Sequence, residues 1–246
     1  VSDISFFHIA SVYPTATANV VRNVRSHHPN SFYFLGVDGT DNFQYVSEPY
    51  KLHYRYFTKR VGGPVGDYGY RLDGVLEFFS RFREACLNAN TTHIMMLEDD
   101  VYLTKPVTIE KDWEMAGHYI APGNHNKLHP ELIKRIGEFT GQECKNDYYG
   151  CGGGSIFCVS TYLANYSKVV EWFKQNFDEI QAVYPTIGYN DCFMVVYYLL
   201  CNKGYTVNPR LTDTHNHKPG FDYESFISNL SPEIEIVNNY KKYYYE

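Results

Sequence analysis

An α/β fold built on a mostly parallel central sheet is the class this chain predicts, and three observations predict it. Apolar strand-length runs alternate with amphipathic helical stretches in the order β-α-β-β-α-β through the first half. No internal repeat and no linker long enough to split domains interrupts the chain. Its 246 residues suffice for one sizeable core.

The elements follow in order. Residues 5–10 read as a first buried strand. Residues 16–26 have helical spacing at Val20, Val21 and Val24 and end before His28-Pro29. Residues 31–37 predict a second strand, stopped by Asp38-Gly39, and residues 51–57 alternate as a third. The glycine-rich loop Gly62-Gly63-Pro64-Val65-Gly66 precedes an amphipathic helix over 70–87, with Leu72, Val75, Leu76, Phe79, Phe82 and Cys86 on its apolar face. His93-Ile94-Met95-Met96 is the fourth strand. Right-handed crossovers connect parallel strands of this kind. The second half is less regular. Residues 113–120 fit a strand or a helix, and 129–140 a helix. Gly152-Gly153-Gly154 lead into a strand over 155–160. Helices over 163–177 and 190–202, a strand over 205–208 and a polar tail from Thr212 to Glu246 complete the pattern.

Composition narrows the function classes. Apolar residues make up 44% and charged residues 20%, a globular balance. The formal charge of −6 gives no reason to expect a nucleic-acid partner. The 24 tyrosines offer flat amphipathic faces that suit sugars, and serve equally as core residues. The six cysteines contain no CxxC pair, which argues against a zinc site of the usual spacing. Cys86, Cys158, Cys192 and Cys201 read as buried thiols. Cys144 and Cys151 flank a loop and are either free thiols in a reducing cytosol or a disulfide in an oxidising compartment. No signal peptide is visible and no apolar run reaches transmembrane length, so a cytoplasmic location is expected. A luminal Golgi or ER domain without its anchor is the alternative. Asn90, Asn165 and Asn229 open glycosylation sequons, the last disfavoured by Pro232.

Leu97-Glu98-Asp99-Asp100 carries the strongest chemical signal. A buried strand ending in three carboxylates is unstable unless a cation or a donor-rich ligand offsets their repulsion. Mg²⁺ or Mn²⁺ does so with oxygen ligands and bridges to phosphates. Ligands bind at the strand ends of open α/β sheets. The motif points to a metal-diphosphate site, with Asp100 on the metal and Glu98 or Asp99 near the ribose hydroxyls. Strand alternation puts Glu98 and Asp100 on one side and Asp99 on the other. A solvated loop with a helix cap is the rival reading, and Pro106 and the β-branched residues after it oppose a helix there.

This order of motifs resembles the GT-A class of nucleotide-sugar-dependent glycosyltransferases, in which a strand ends in a D-x-D-type motif, here Glu98-Asp99-Asp100. The resemblance implies a Rossmann-like single domain over 1–246. It divides into a nucleotide-binding half (1–104), an acceptor and catalytic half (105–220) and a C-terminal tail (221–246). It implies Mn²⁺ or Mg²⁺, a nucleoside-diphosphate sugar donor with UDP as carrier, and a glycan or glycoprotein acceptor. Asp38, in Val37-Asp38-Gly39-Thr40-Asp41, resembles the residue that contacts the donor base or ribose. Asp67 and Arg71 resemble the pair that grips the donor sugar or phosphate, against a simple cap and surface ion pair. Tyr149, Gly152 and Gly153 look like the segment shaping the donor sugar pocket, against a flexible turn. Asn190 and Asp191 open a helix. In inverting members of the class a carboxylate at that helix start is the base, which makes Asp191 the catalytic candidate and Asn190 a substrate contact. The rival is a helix cap. His215 and His217 lie on one side of an extended segment and are candidate metal ligands beside Asp100. Lys218 resembles a diphosphate-binding lysine.

The reading is a metal-dependent glycosyltransferase, inverting in preference to retaining; in a retaining enzyme Asp191 only orients the sugar. A sugar-nucleotide nucleotidyltransferase is one rival, opposed by Ser11-Val12-Tyr13-Pro14-Thr15, which lacks a glycine-rich basic signature after the first strand. A noncatalytic carbohydrate-binding or scaffold protein is the other.

Overall fold

The computed structural model describes residues 4–39, 42–61, 70–117, 130–141, 152–183, 205–214 and 220–244. Ten strands are present among them: β1 (Ile4–Ala10), β2 (Tyr33–Asp38), β3 (His53–Phe57), β4 (His93–Leu97), β5 (Tyr102–Leu103), β6 (Met115–Gly117), β7 (Ile156–Cys158), β8 (Tyr205–Val207), β9 (Leu211–Asp213) and β10 (Ile236–Asn238). The helices are α1 (Pro14–His27), α2 (Leu72–Asn88), α3 (Pro130–Thr140), α4 (Val159–Val183) and α5 (Tyr223–Ser228).

Seven strands form one sheet in the order β3-β2-β1-β4-β7-β6-β8, and three form a second in the order β5-β10-β9. In the large sheet β1 to β4 are parallel, and only β7 runs against its neighbours. The expected mostly parallel α/β sheet is therefore what the chain forms.

Strand alternation builds two cores. Phe7, Phe34, Ile94 and Met96 face α2 and α4, where Phe79, Phe82, Tyr162, Trp172 and Phe173 close over them. Ile4, Phe6, Leu35, Val37, Met95 and Leu97 point the other way, onto Val20, Val21 and Val24 of α1 and onto the small sheet. Both faces of β1, β2 and β4 are covered, which is why these strands read as continuous apolar runs. Each fully buried aromatic or aliphatic side chain contributes roughly 1.5–3 kcal/mol of transfer free energy. Pro14 at the first turn of α1 suits a position whose N–H has no partner in the helix, and Arg25 and His27 lie in its last turn.

Several elements differ from expectation. The strand over 155–160 is shorter, because helix α4 already starts at Val159. Tyr162 fixes that first turn by donating its hydroxyl to Phe79 O at 2.8 Å. Residues 115–117 settle as strand β6. The polar tail is not a tail. It contains β9, α5 and β10, and Ile236, Val237, Tyr240 and Tyr243 are buried within it. Strand β5 has only two residues and exists through its pairing with β10. Asn23 on α1 brackets it, donating to Leu103 O at 3.0 Å and accepting from Leu103 N at 2.7 Å. Cys86 is buried as expected, whereas Cys158 is only partly so. Among the described residues no helix is long and apolar enough to cross a membrane.

Candidate functional site

Parallel pairing brings the C-terminal ends of β1, β2, β3 and β4 to one edge of the sheet. Asp38 closes β2 at that edge, and Glu98, Asp99 and Asp100 follow β4 there; the acidic motif forms a turn, closed by Val101 N donating to Glu98 O at 3.3 Å.

Each carboxylate has its own surroundings. Asp99 continues the face of Met95 and Leu97 and meets α1. Its Oδ1 accepts from Thr17 Oγ1 at 2.7 Å and lies 2.9 Å from His8 Nε2. A carboxylate oxygen can only accept from that ring nitrogen, so Nε2 carries a proton. The other ring nitrogen, Nδ1, lies 2.8 Å from the Tyr33 hydroxyl. His8 is fully buried. Burial first, and the Asp99 charge next, push the Tyr33 phenol well above the ordinary tyrosine range.

Glu98 turns toward the triple glycine. Gly153 N donates to Glu98 Oε2 at 3.1 Å. A Cβ on Gly153 would lie 2.3 Å from Val101 Cγ2 and 3.1 Å from Asn238 Oδ1, so only glycine lets this backbone approach the acidic turn. Gly154 has φ +93 and bonds its N–H to Met96 O at 2.8 Å, which locks the turn to the end of β4.

Asp100 faces the small sheet. Its backbone oxygen accepts from Tyr240 N at 2.8 Å, and its carboxylate Oδ2 pairs with Lys241. Its side chain is 4% exposed. The second oxygen, Oδ1, is buried with no hydrogen-bond partner among the described residues. Desolvation raises the Asp100 pKa, the Lys241 ammonium lowers it, and the charges of Asp99 and Asp213 raise it further. Asp213 closes β9, where Asn239 Nδ2 donates to it at 2.6 Å. Tyr244, edge-on to Tyr13 at 4.8 Å, stands over the same corner. Burial and the charges of Asp100, Asp99 and Glu98 push its phenol far above the usual range.

Asp38 has a different setting from the one expected. It is fully buried at the end of β2. Arg81 Nη1 and Val61 N both donate to its Oδ2 at 2.7 Å, and Ser11 Oγ donates to Oδ1 at 2.5 Å. Arg81 also lies 3.8 Å over the Phe57 ring and donates to Lys59 O at 2.6 Å. Asp38 thus ties β2, α2 and the segment leaving β3 together with its carboxylate already occupied. Arg71 is the residue before α2, 65% exposed, and its ion pair at 3.3 Å is with Asp73.

Glu98, Asp99, Asp100, Gly152 and Gly153 therefore converge. Asp67, Tyr149, Asn190, Asp191, His215, His217 and Lys218 lie outside the described residues. Sequence reasoning missed His8, Thr17, Asp213, Asn238 and Lys241. His8 carried a signal, a lone imidazole in an apolar strand. Lys241, one of two lysines in a tyrosine-rich stretch, carried none.

The corner suits a hard divalent cation in its donor chemistry: clustered carboxylates, one with a buried, unpartnered oxygen. Among the described residues no group of three His, Cys, Asp or Glu is arranged to hold a metal.

No family model matches the chain, and no curated protein matches it. Among solved structures it is similar to the galactosyltransferase LgtC in complex with donor and acceptor sugar analogues. That match has TM-score 0.55 and 13% identity over 95% of this chain and 86% of that one. This is the GT-A fold. A second structure, of an active-site mutant of LgtC, matches with TM-score 0.53 and 13% identity over the same shares of both chains. The acidic turn follows β4, the fourth parallel strand, at the C-terminal edge of the sheet, the edge at which open α/β sheets in general bind ligands.

Proposed function

We propose that this GT-A chain is a metal-dependent glycosyltransferase. It would move a sugar from a nucleoside-diphosphate sugar, with UDP as carrier, to a hydroxyl of a glycan or glycoprotein acceptor. One observation carries the reading: Glu98-Asp99-Asp100 gathers at the ligand edge of the sheet with a buried Asp100 oxygen that no described group satisfies. The fold likeness to a galactosyltransferase supports the same class of donor and acceptor.

In this reading Asp100, His215 and His217 hold Mn²⁺ or Mg²⁺. The bound ion supplies positive charge against the diphosphate as it departs, the largest electrostatic demand of the transfer. Glu98 and Gly153 set the floor of the donor pocket, and Gly152 leaves room beside it. Asp99, held by His8 and Thr17, braces the turn. Lys218 would add positive charge against the diphosphate. The acceptor oxygen forms a bond to the anomeric carbon while the bond from that carbon to the phosphate oxygen breaks, and the leaving diphosphate keeps that electron pair. Asp191 takes the hydroxyl proton as the oxygen attacks the face opposite the departing diphosphate, and this single displacement inverts the anomeric centre.

The test is a thermal-shift panel of UDP-, GDP- and CMP-sugars with and without Mn²⁺. A ligand that binds only the native state raises the melting temperature by mass action. A UDP-sugar should do so with Mn²⁺ and not without it, and Asp100→Ala should abolish the shift. An unchanged shift in Asp100→Ala removes Asp100 from the site, and no shift with any nucleotide leaves the noncatalytic reading. Asp191→Asn should keep UDP affinity and stop transfer; normal turnover rejects its role as base.

A further inference from the structure

The pairing of Lys241 with Asp100 is not explained by sugar transfer. Lys241 comes from the turn after β10, 141 positions away, and is 25% exposed, so its ammonium reaches in from the rim. That turn is well anchored. Tyr240 N donates to Asp100 O at 2.8 Å, Lys241 N donates to the Tyr223 hydroxyl at 3.1 Å, and Tyr240 stacks on Tyr102 at 4.6 Å. The fold thus delivers one positive charge to the carboxylate most suited to a cation. Asp99 and Asp213 place further negative charge beside Asp100.

We propose that Lys241 is a built-in counter-ion that holds the place of the divalent cation and competes with it for Asp100. This rests on the cation reading above and adds a regulatory element to it. Burying Asp100 without a partner would cost stability, so the ammonium keeps the apo corner folded. A divalent ion held by Oδ1 would share the Asp100 carboxylate with that ammonium, and like charges so placed would repel. The ion enters only as the Lys241 side chain swings toward solvent. The chain then folds without metal, binds it reversibly, and has its metal affinity set by a residue that never ligates it. A lysine that merely orients Asp100 for the metal predicts the opposite effect of its removal.

Mn²⁺ affinity, read by electron paramagnetic resonance on the full chain, separates the two. Lys241→Gln keeps a hydrogen-bond donor and loses the charge, and should bind Mn²⁺ more tightly by roughly tenfold or more. Lys241→Arg keeps the charge and should stay near wild type. Weaker or equal binding by Lys241→Gln overturns the proposal while leaving the cation site intact. Absence of Mn²⁺ binding in wild type and both variants overturns the cation reading, and this inference with it. Melting temperature gives an independent readout. Without metal, Lys241→Gln should melt below wild type, and Mn²⁺ should raise its melting temperature more than that of wild type. Equal rises in the two proteins count against the proposal. A Lys241→Gln chain that folds only with Mn²⁺ supports it.

Discussion

The imidazole of His8 and the carboxylate of Asp99 meet at 2.9 Å although they lie 91 positions apart in the chain. They join the middle of the first strand to the acidic turn after the fourth. His8→Phe fills the space and leaves both Asp99 and the Tyr33 hydroxyl short of a partner. We expect a loss of about 1–3 kcal/mol in urea unfolding, together with weaker Mn²⁺-UDP binding, because the turn is no longer braced. A variant as stable as wild type with unchanged binding would show that Thr17 alone suffices.

The Arg81–Asp38 pair is buried from both sides, and removing one partner strands the other. Arg81→Met is expected to cost about 3–5 kcal/mol. Arg81→Lys should recover little, since one guanidinium serves Asp38, Glu77 and Lys59 O at once. Equilibrium unfolding of the three proteins decides this. A Met variant within about 1 kcal/mol of wild type would reduce the pair to a surface-like contact.

Gly153 sits where a methyl group would collide with Val101 Cγ2 at 2.3 Å. Gly153→Ala should destabilise by about 1–3 kcal/mol and shift the Glu98 side chain. Val101→Ala removes the obstructing methyl groups, so the double variant should lose less than the sum of the single losses. Strict additivity would show that the close approach is not the cause.

His28 Nε2 accepts Val107 N–H at 3.0 Å, a role open only to the neutral ring. Burial, and then the neighbouring charge of His27, hold its pKa below 6.5. The unfolded chain therefore takes up this proton more readily than the folded one. The contribution of His28 is intact above about pH 6.5 and is lost as pH falls through the lowered folded value. His28→Gln offers an amide oxygen that does not titrate. Urea midpoints at about pH 7.5 and about pH 5 should fall further in wild type than in this variant. Equal falls would assign the acid sensitivity to other groups.

The parallel half of the sheet was legible because local pattern and tertiary role agree there. Ile94 and Met96 against Met95 and Leu97 show a strand buried on both faces, and the carboxylates after it mark where that strand ends. The small sheet was not legible. Tyr102-Leu103 is too short to show a period, and Ile236-Val237-Asn238 lies among charged and polar residues. Tyr102-Leu103 gains its conformation by pairing with β10, and β10 by pairing with both β5 and β9. Asp38 shows a further limit. Its position after a strand was readable from the sequence, but Arg81 lies 43 positions away and nothing local announces that a guanidinium fills its carboxylate.

Strand β10 lies between β5 and β9, and the turn that follows it reaches back to Asp100. The order of synthesis gives this topology a temporal meaning. The four parallel strands can assemble on the emerging chain while the acidic turn is still uncovered, and only when residues 236–244 arrive is its last wall in place. A chain without this stretch would keep the parallel half of its sheet and leave Asp100 with neither the Tyr240 N–H nor the Lys241 ammonium.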